Sequence, residues 1–90
     1  LTFNAILGYQ DAVPPKPDPS GARQIALQLG VLPSQVLYLG DSDIDMMTAA
    51  ASGMFGVGAL WGFRSAQELE KSGARALLKQ PQDLLPLLGK

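Results

Sequence analysis

The stretch Leu37-Tyr38-Leu39-Gly40-Asp41-Ser42-Asp43-Ile44-Asp45 decides how this chain is read. Val36 to Leu39 is an apolar run long enough for one buried strand, and Gly40 ends it. Asp41 follows at once, so a carboxylate stands at the carboxyl end of the strand, the edge where ligands bind in open parallel sheets. Gly40 is expected to let the chain turn sharply there. Residues 43–52 read as a helix with Ile44, Met47, Thr48 and Ala51 on its apolar face, stopped by Gly53. Asp45 falls in the first turn of that helix, so Asp41 and Asp45 can point toward one spot. Two neighbouring carboxylates repel unless a cation sits between them. Hard oxygen donors of this kind suit Mg²⁺, which takes one or two carboxylates and completes its shell with water and substrate phosphate.

Three other readings of the cluster compete with a magnesium site. Asp41, Asp43 and Asp45 match positions 1, 3 and 5 of a calcium loop, but that loop needs a glycine where Met46 stands and a bidentate Glu where Ser52 stands. Asp43-x-Asp45 resembles a phosphatase nucleophile pair, which wants Thr or Val where Met47 stands. Ser42 and Asp43 can also serve simply as a helix cap and a favourable charge for the helix dipole. Capping explains one aspartate, but not three behind a glycine, so the metal reading is preferred.

Outward from this segment, the pattern alternates. Residues 3–9 are apolar and bounded by Gly8 and Asp11, as for a strand. Residues 13–19, Val-Pro-Pro-Lys-Pro-Asp-Pro, form an extended loop. Asp18-Pro19 suits a helix start, with Asp as N-cap and Pro at the first helical position. Ala22, Ile25, Ala26 and Leu29 then share one helical face, and Gly30 fits the position after the C-cap. Phe55 to Leu60 reads as a strand weakened by Gly56 and Gly58. Ser65-Ala66-Gln67-Glu68 is a capping box for a third helix closed by Gly73. Ala76-Leu77-Leu78 reads as an edge strand, and Asp83 to Leu88 as a short terminal helix. Strand and helix in strict alternation argue for an α/β unit with a parallel sheet.

The 90 residues bound the chemistry further. There is no cysteine and no histidine, which excludes disulfides, thiolate or imidazole metal ligation and histidine base catalysis. Seven basic residues against eight acidic ones give a net charge of −1, and the basic residues are scattered, with no stripe for nucleic acid. No apolar run reaches membrane-spanning length, and Leu1 onward is not expected to be a signal peptide. The chain begins at Leu1 inside an apolar segment, so it is expected to be cut from something longer, and a cytoplasmic setting is expected. Lys16 is bracketed by prolines that hold its direction, and its compact charge suits a phosphate or a pair of carboxylates. A solvated loop lysine is the competing reading.

Lys16-Pro17-Asp18-Pro19 ahead of a helix, followed by a strand ending Gly40-Asp41-Ser42-x-x-Asp45, resembles the third and fourth motifs of the haloacid dehalogenase superfamily. Ala49 to Met54 is similar to the small-residue helix end after the fourth motif. Leu60-Trp61-Gly62-Phe63-Arg64-Ser65 resembles a loop of the phosphoglycolate phosphatase group, and Ala74 to Leu85 resembles its C-terminal strand and helix. A receiver domain differs, because its lysine follows the acids along the chain. The resemblance implies a Rossmann-like three-layer α/β core, of which residues 1–90 are the incomplete C-terminal portion. It implies Mg²⁺ as cofactor, held by Asp41, with Asp45 holding the metal's water or the lysine, and Lys16 neutralising phosphoryl oxygens. Gly40 and Ser42 become candidate phosphate contacts or supporting residues. The implied reaction is hydrolysis of a small phosphomonoester, phosphoglycolate-like, through a phospho-aspartate. Beta-phosphoglucomutase and pyrophosphatase relatives share these motifs.

The resemblance also has a gap. The family's nucleophile lies in an Asp-x-Asp motif on its first strand, its second motif supplies a Ser or Thr, and a cap domain selects substrate; these 90 residues hold none of them. The isolated residues are therefore expected not to turn over, and a metal- or phosphate-binding interaction module is the alternative reading. In the family the first strand lies centrally in the sheet, which makes residues 3–9 the far strand here and 36–39 and 55–60 the near ones. Missing central strands leave open edges, so the expected partner is the N-terminal core segment or another copy of the chain.

Overall fold

The computed structural model describes residues 3–8, 20–62 and 64–88. Its strands are β1 (Ala5–Gly8), β2 (Val36–Gly40), β3 (Phe55–Ala59) and β4 (Ala76–Leu78). Its helices are α1 (Ser20–Leu29), α2 (Asp43–Ser52), α3 (Ala66–Lys71) and α4 (Leu85–Leu88), the last entered through a 3-10 turn at Pro81–Leu84. The strands lie in the order β1-β2-β3-β4, and every neighbouring pair is parallel. Each connection therefore steps one strand along in the same direction, and all three crossover helices fall on one face, as uniform crossover handedness requires.

Alternation along β2 sorts the core into two halves. Val36 and Tyr38 face the crossover helices and pack with Leu7, Ala22, Ala26, Ala49 and Met54. Leu37 faces the other way, with Val57 and Leu78, and is covered there by Leu84 and Leu87 of the C-terminal turn and helix. The glycines that weaken the β3 pattern have a packing reason. A Cβ on Gly56 would lie 3.1 Å from Ala49 Cβ, and one on Gly58 would lie 2.9 Å from Leu69 Cδ1. Both positions face the helices, and the flat strand surface lets α2 and α3 approach closely.

The helix ends follow the sequence closely. Gly30 and Gly53 both take the left-handed conformation, with φ 74° and 77°, as αL caps. The Ser65 hydroxyl accepts the Glu68 N–H at 3.1 Å, the forward half of the expected capping box. The terminal helix begins earlier than expected, because the Asp83 carboxylate accepts the Lys79 and Gln80 N–H groups and winds Pro81–Leu84 as a 3-10 turn. The Asp18-Pro19 helix start lies outside the described residues.

Three expectations are corrected. Residues 3–9 were expected at the far side of a sheet with a central gap, but β1 pairs directly with β2, Ala5 opposite Val36 and Leu7 opposite Tyr38. An unpaired β2 edge would leave its ladder of N–H and C=O groups without partners, and β1 supplies them. Second, α2 buries Asp45, Met46, Thr48, Ala49 and Ser52, whereas Ile44 and Met47 are 42% and 44% exposed. Apolar residues lie on both sides of the helix, and the seating of Asp45 turns it. Third, Leu29 is 56% exposed, because α1 meets the sheet through the small residues Ala22 and Ala26 instead.

Candidate functional site

Parallel pairing puts Gly8, Gly40 and Ala59 at one edge of the sheet. The turn from β2 into α2 stands at that edge, and its geometry is built from its own short polar side chains. Ser42 is the N-cap of α2, extended at φ −133° and ψ 162°. Its hydroxyl accepts the Asp45 N–H at 3.1 Å and donates to Asp45 Oδ2 at 2.9 Å. The same Oδ2 accepts the Asp41 N–H at 3.1 Å. One carboxylate oxygen thus ties both ends of the turn, and Asp45 is only 1% exposed. It stands in the first turn of α2, at the positive end of the helix dipole.

Gly40 is needed here for space, not for a sharp turn. It is not among the positive-φ glycines. A Cβ at residue 40 would lie 2.3 Å from Asp45 Cβ and 2.8 Å from its Oδ2, so the Asp45 side chain occupies the place a side chain would take.

Asp41 is half-buried at the end of β2. Its carboxylate lies against the loop that follows β3, where a Cβ on Gly62 would fall 2.7 Å from both Asp41 Cβ and Oδ2. Asp43 also reaches this loop. Its Oδ1 is shielded from solvent and accepts no hydrogen bond, and Arg64 Nε lies 3.9 Å from it. Arg64 Nη1 is also 3.6 Å from Glu68 Oε2 in α3.

Of the residues singled out in the sequence, Gly40, Asp41, Ser42 and Asp45 therefore come together in one turn. Lys16 lies outside the described residues; the elements that flank its segment are β1, which ends on the same sheet edge as Asp41, and α1. Gly62 and Arg64 were not singled out as site residues. Only their place in the Trp61-Gly62-Phe63-Arg64 loop signalled them, because a glycine's close approach has no signature along the chain.

The donor set matches Mg²⁺ in kind: hard carboxylate oxygens at the mouth of a sheet, with Asp41 carrying the half-buried group and Asp45 organising the backbone beneath it. Among the described residues no three acidic side chains converge as a complete cage. Mg²⁺ is usually held by one or two carboxylates plus water and phosphate, so a single presented carboxylate, that of Asp41, is compatible with it.

Known proteins are similar to this chain in sequence and in fold. The family model described as haloacid dehalogenase-like hydrolase matches residues 1–59. The phosphoglycolate phosphatase of Escherichia coli (strain K12) is 32% identical over 87 residues, covering 97% of this chain and 34% of its own length. A hydrolase from Pseudomonas syringae superposes with a TM-score of 0.73 at 36% identity, over 80% of this chain and 33% of that one. A HAD family hydrolase from Deinococcus radiodurans R1, solved with bound phosphate and sodium, superposes with a TM-score of 0.74 at 29% identity, over 82% and 34% of the two chains. The chain spans about a third of the length of the curated relatives it matches. With residues 1–59 inside the family match and relatives of the same kind along nearly its whole length, the chain belongs to the haloacid dehalogenase-like hydrolase family.

Proposed function

We propose that these residues form the C-terminal portion of the catalytic core of a cytoplasmic, Mg²⁺-dependent phosphatase that hydrolyses a small phosphomonoester of the phosphoglycolate kind. The observation that carries this reading is the turn at the carboxyl end of β2, where Asp41 presents a carboxylate and Asp45 holds the backbone around it. The names of the relatives, and the phosphate bound in one of them, supply the chemical class.

In this reading Asp41 is a direct metal ligand. Asp45 and Ser42 fix the turn that aims it, and Gly40 makes room for Asp45. Mg²⁺, when bound, offsets the negative charge of the phosphoryl oxygens. Lys16 adds a second positive charge against those oxygens and the nucleophile. The nucleophile is an aspartate on a strand outside these residues; it takes the phosphoryl group as an acyl phosphate while the ester's alcohol leaves, and water then cleaves that intermediate to inorganic phosphate. These 90 residues alone are inactive.

The test is phosphate release by the full-length protein from 2-phosphoglycolate and from other short phosphomonoesters, with Mg²⁺ or with EDTA. Metal-dependent release that Asp41→Asn lowers by about a hundredfold or more supports the assignment; the loss of one anionic ligand removes charge stabilisation worth several kcal/mol. Release that ignores EDTA, or no release from any ester, defeats it.

A second reading has an observation of its own. In the family the nucleophile strand sits beside the strand of the fourth motif, and here β1 occupies that side of β2. A sheet in which the place beside β2 is already taken suits a metal- or phosphate-binding module without turnover. Binding of Mn²⁺ or phosphate by a full-length protein that hydrolyses none of the esters would select it.

A further inference from the structure

We propose that the loop after β3 is the device that positions Asp41: Gly62 seats its carboxylate, and Arg64 ties the loop to α2. This rests on the reading of Asp41 as a metal ligand, and it adds two residues that act on the metal only through Asp41.

Gly62 does not need to be glycine for its backbone conformation. The positive-φ glycines among the described residues are Gly30, Gly53 and Gly73. It needs to be glycine because of what it touches. A Cβ there would stand 2.7 Å from Asp41 Cβ, 2.7 Å from Oδ2 and 3.0 Å from Cγ, where carbon atoms normally keep about 3.5–4.0 Å. The far oxygen of a side chain can swing aside, but Cβ cannot. It is fixed by the backbone of residue 41, whose N–H is held by Asp45 Oδ2. The Gly62 backbone therefore lies flat against one side of the Asp41 carboxylate and limits the rotamers open to it.

Such a wall works only if the loop is held. At its start the Leu60 N–H donates to the Leu78 carbonyl at 2.8 Å, which anchors it to β4. At its end Ser65 caps α3. Between these, Arg64 reaches Asp43 in the first turn of α2 and Glu68 in α3. The Arg64–Asp43 pair is the one tie in this set that runs to α2, the helix that also carries Asp45. Both turns at the mouth of the site are thus fastened to each other, and each carboxylate rests on a glycine: Asp45 on Gly40, Asp41 on Gly62. A ligand held in its bound rotamer before the metal arrives loses less freedom on binding, and partners that orient a ligand in this way typically govern about 10–100-fold in metal affinity.

The experiment measures equilibrium Mn²⁺ binding to the full-length protein, from the electron paramagnetic resonance signal of free Mn²⁺, without turnover. Five proteins are compared: the wild type, Asp41→Asn, Gly62→Ala, Arg64→Gln and Gly58→Ala. We expect Gly62→Ala to raise the Mn²⁺ Kd by about tenfold or more. Arg64→Gln, at an exposed pair, should raise it about two- to threefold. Gly58→Ala, which crowds Leu69 and Leu77 in the core, should lower the melting temperature and leave the Kd unchanged. Wild-type affinity in Gly62→Ala, with binding lost in Asp41→Asn, overturns the positioning role and leaves the metal reading standing. Wild-type affinity in Asp41→Asn overturns both. An equal loss in Gly58→Ala overturns the proposal in favour of general loosening. If Gly62→Ala does not fold, Arg64→Gln decides, and an unchanged Kd there overturns the proposal.

Discussion

Asp41, Asp43 and Asp45 look alike along the chain, yet the fold gives them three different environments. Asp41 is half-buried at the strand end, Asp43 faces Arg64, and Asp45 is buried and hydrogen-bonded to both ends of its own turn. Unequal consequences follow. Under the proposed phosphatase reading, Asp41→Asn and Lys16→Ala in the full-length protein are expected to lower the rate of phosphate release sharply, and Asp43→Asn to lower it less. A rate series in which Asp43→Asn is the worst of the three would reverse the assignment. Asp45→Ala should cost stability as well, because it leaves the Asp41 N–H and the Ser42 hydroxyl without their acceptor at about 1–3 kcal/mol for a buried donor. Gly40→Ala forces Asp45 out of its seat and should cost a similar amount, as overpacking does. Urea unfolding checks both, and a neutral Gly40→Ala would mean that Asp45 sits elsewhere.

The helix α2 is the element for which pattern and structure part. Its bounds follow from the sequence, since Ser42 caps the start and Gly53 ends it in the left-handed region. Its facing does not. Apolar residues lie on both sides, and the periodicity of Ile44, Met47, Thr48 and Ala51 is as good as that of the buried set. The choice is made by the Asp45 carboxylate, pinned at Gly40, which turns Met46, Ala49 and Ser52 inward. Met46→Ala is therefore expected to cost about 2–5 kcal/mol, as buried Met truncations do. Met47→Ala should stay within about 0.5 kcal/mol, as surface changes do. Chemical denaturation of the two variants decides the facing, and the reverse order would restore the periodicity-based face.

Across the whole molecule the helices are unevenly shared between the two faces of the sheet. Among the described residues, the crossover helices cover one face, and the C-terminal turn and helix cover the other over β3 and β4, with Phe3 beside Phe55. Ile6, which pairs with Leu37 on that second face, is 45% exposed, and β1 has no neighbour on its outer side among the described residues. The radius of gyration of 11.8 Å matches the roughly 12 Å of a folded domain of this length, so the chain closes on itself as far as its elements allow. An open strand edge beside half-covered apolar surface invites another chain. The isolated 90 residues are expected to run above 9.5 kDa in hydrodynamic sizing, through pairing of copies at the β1 edge. A sharp monomer with one cooperative urea transition of about 5 kcal/mol or more, as in ordinary domains, would count against this.

What the sequence determined by itself is local. Alternating apolar runs, the Ser42 and Ser65 caps and the glycines at 30 and 53 suffice for the strands, the helices and the parallel α/β class, because each signal acts within one element or its immediate flank. The place of the Gly40–Asp45 turn was legible for the same reason, its hydrogen bonds spanning no more than four residues, but the reason for glycine at 40, room for the Asp45 side chain, was not. The tertiary structure alone decided which edge of β2 takes β1, which side of α2 turns inward, and that Gly62 closes on Asp41 across 21 positions of chain. Each of these depends on which surfaces meet, and on the space left once they have met, and neither is written in the order of residues along one element.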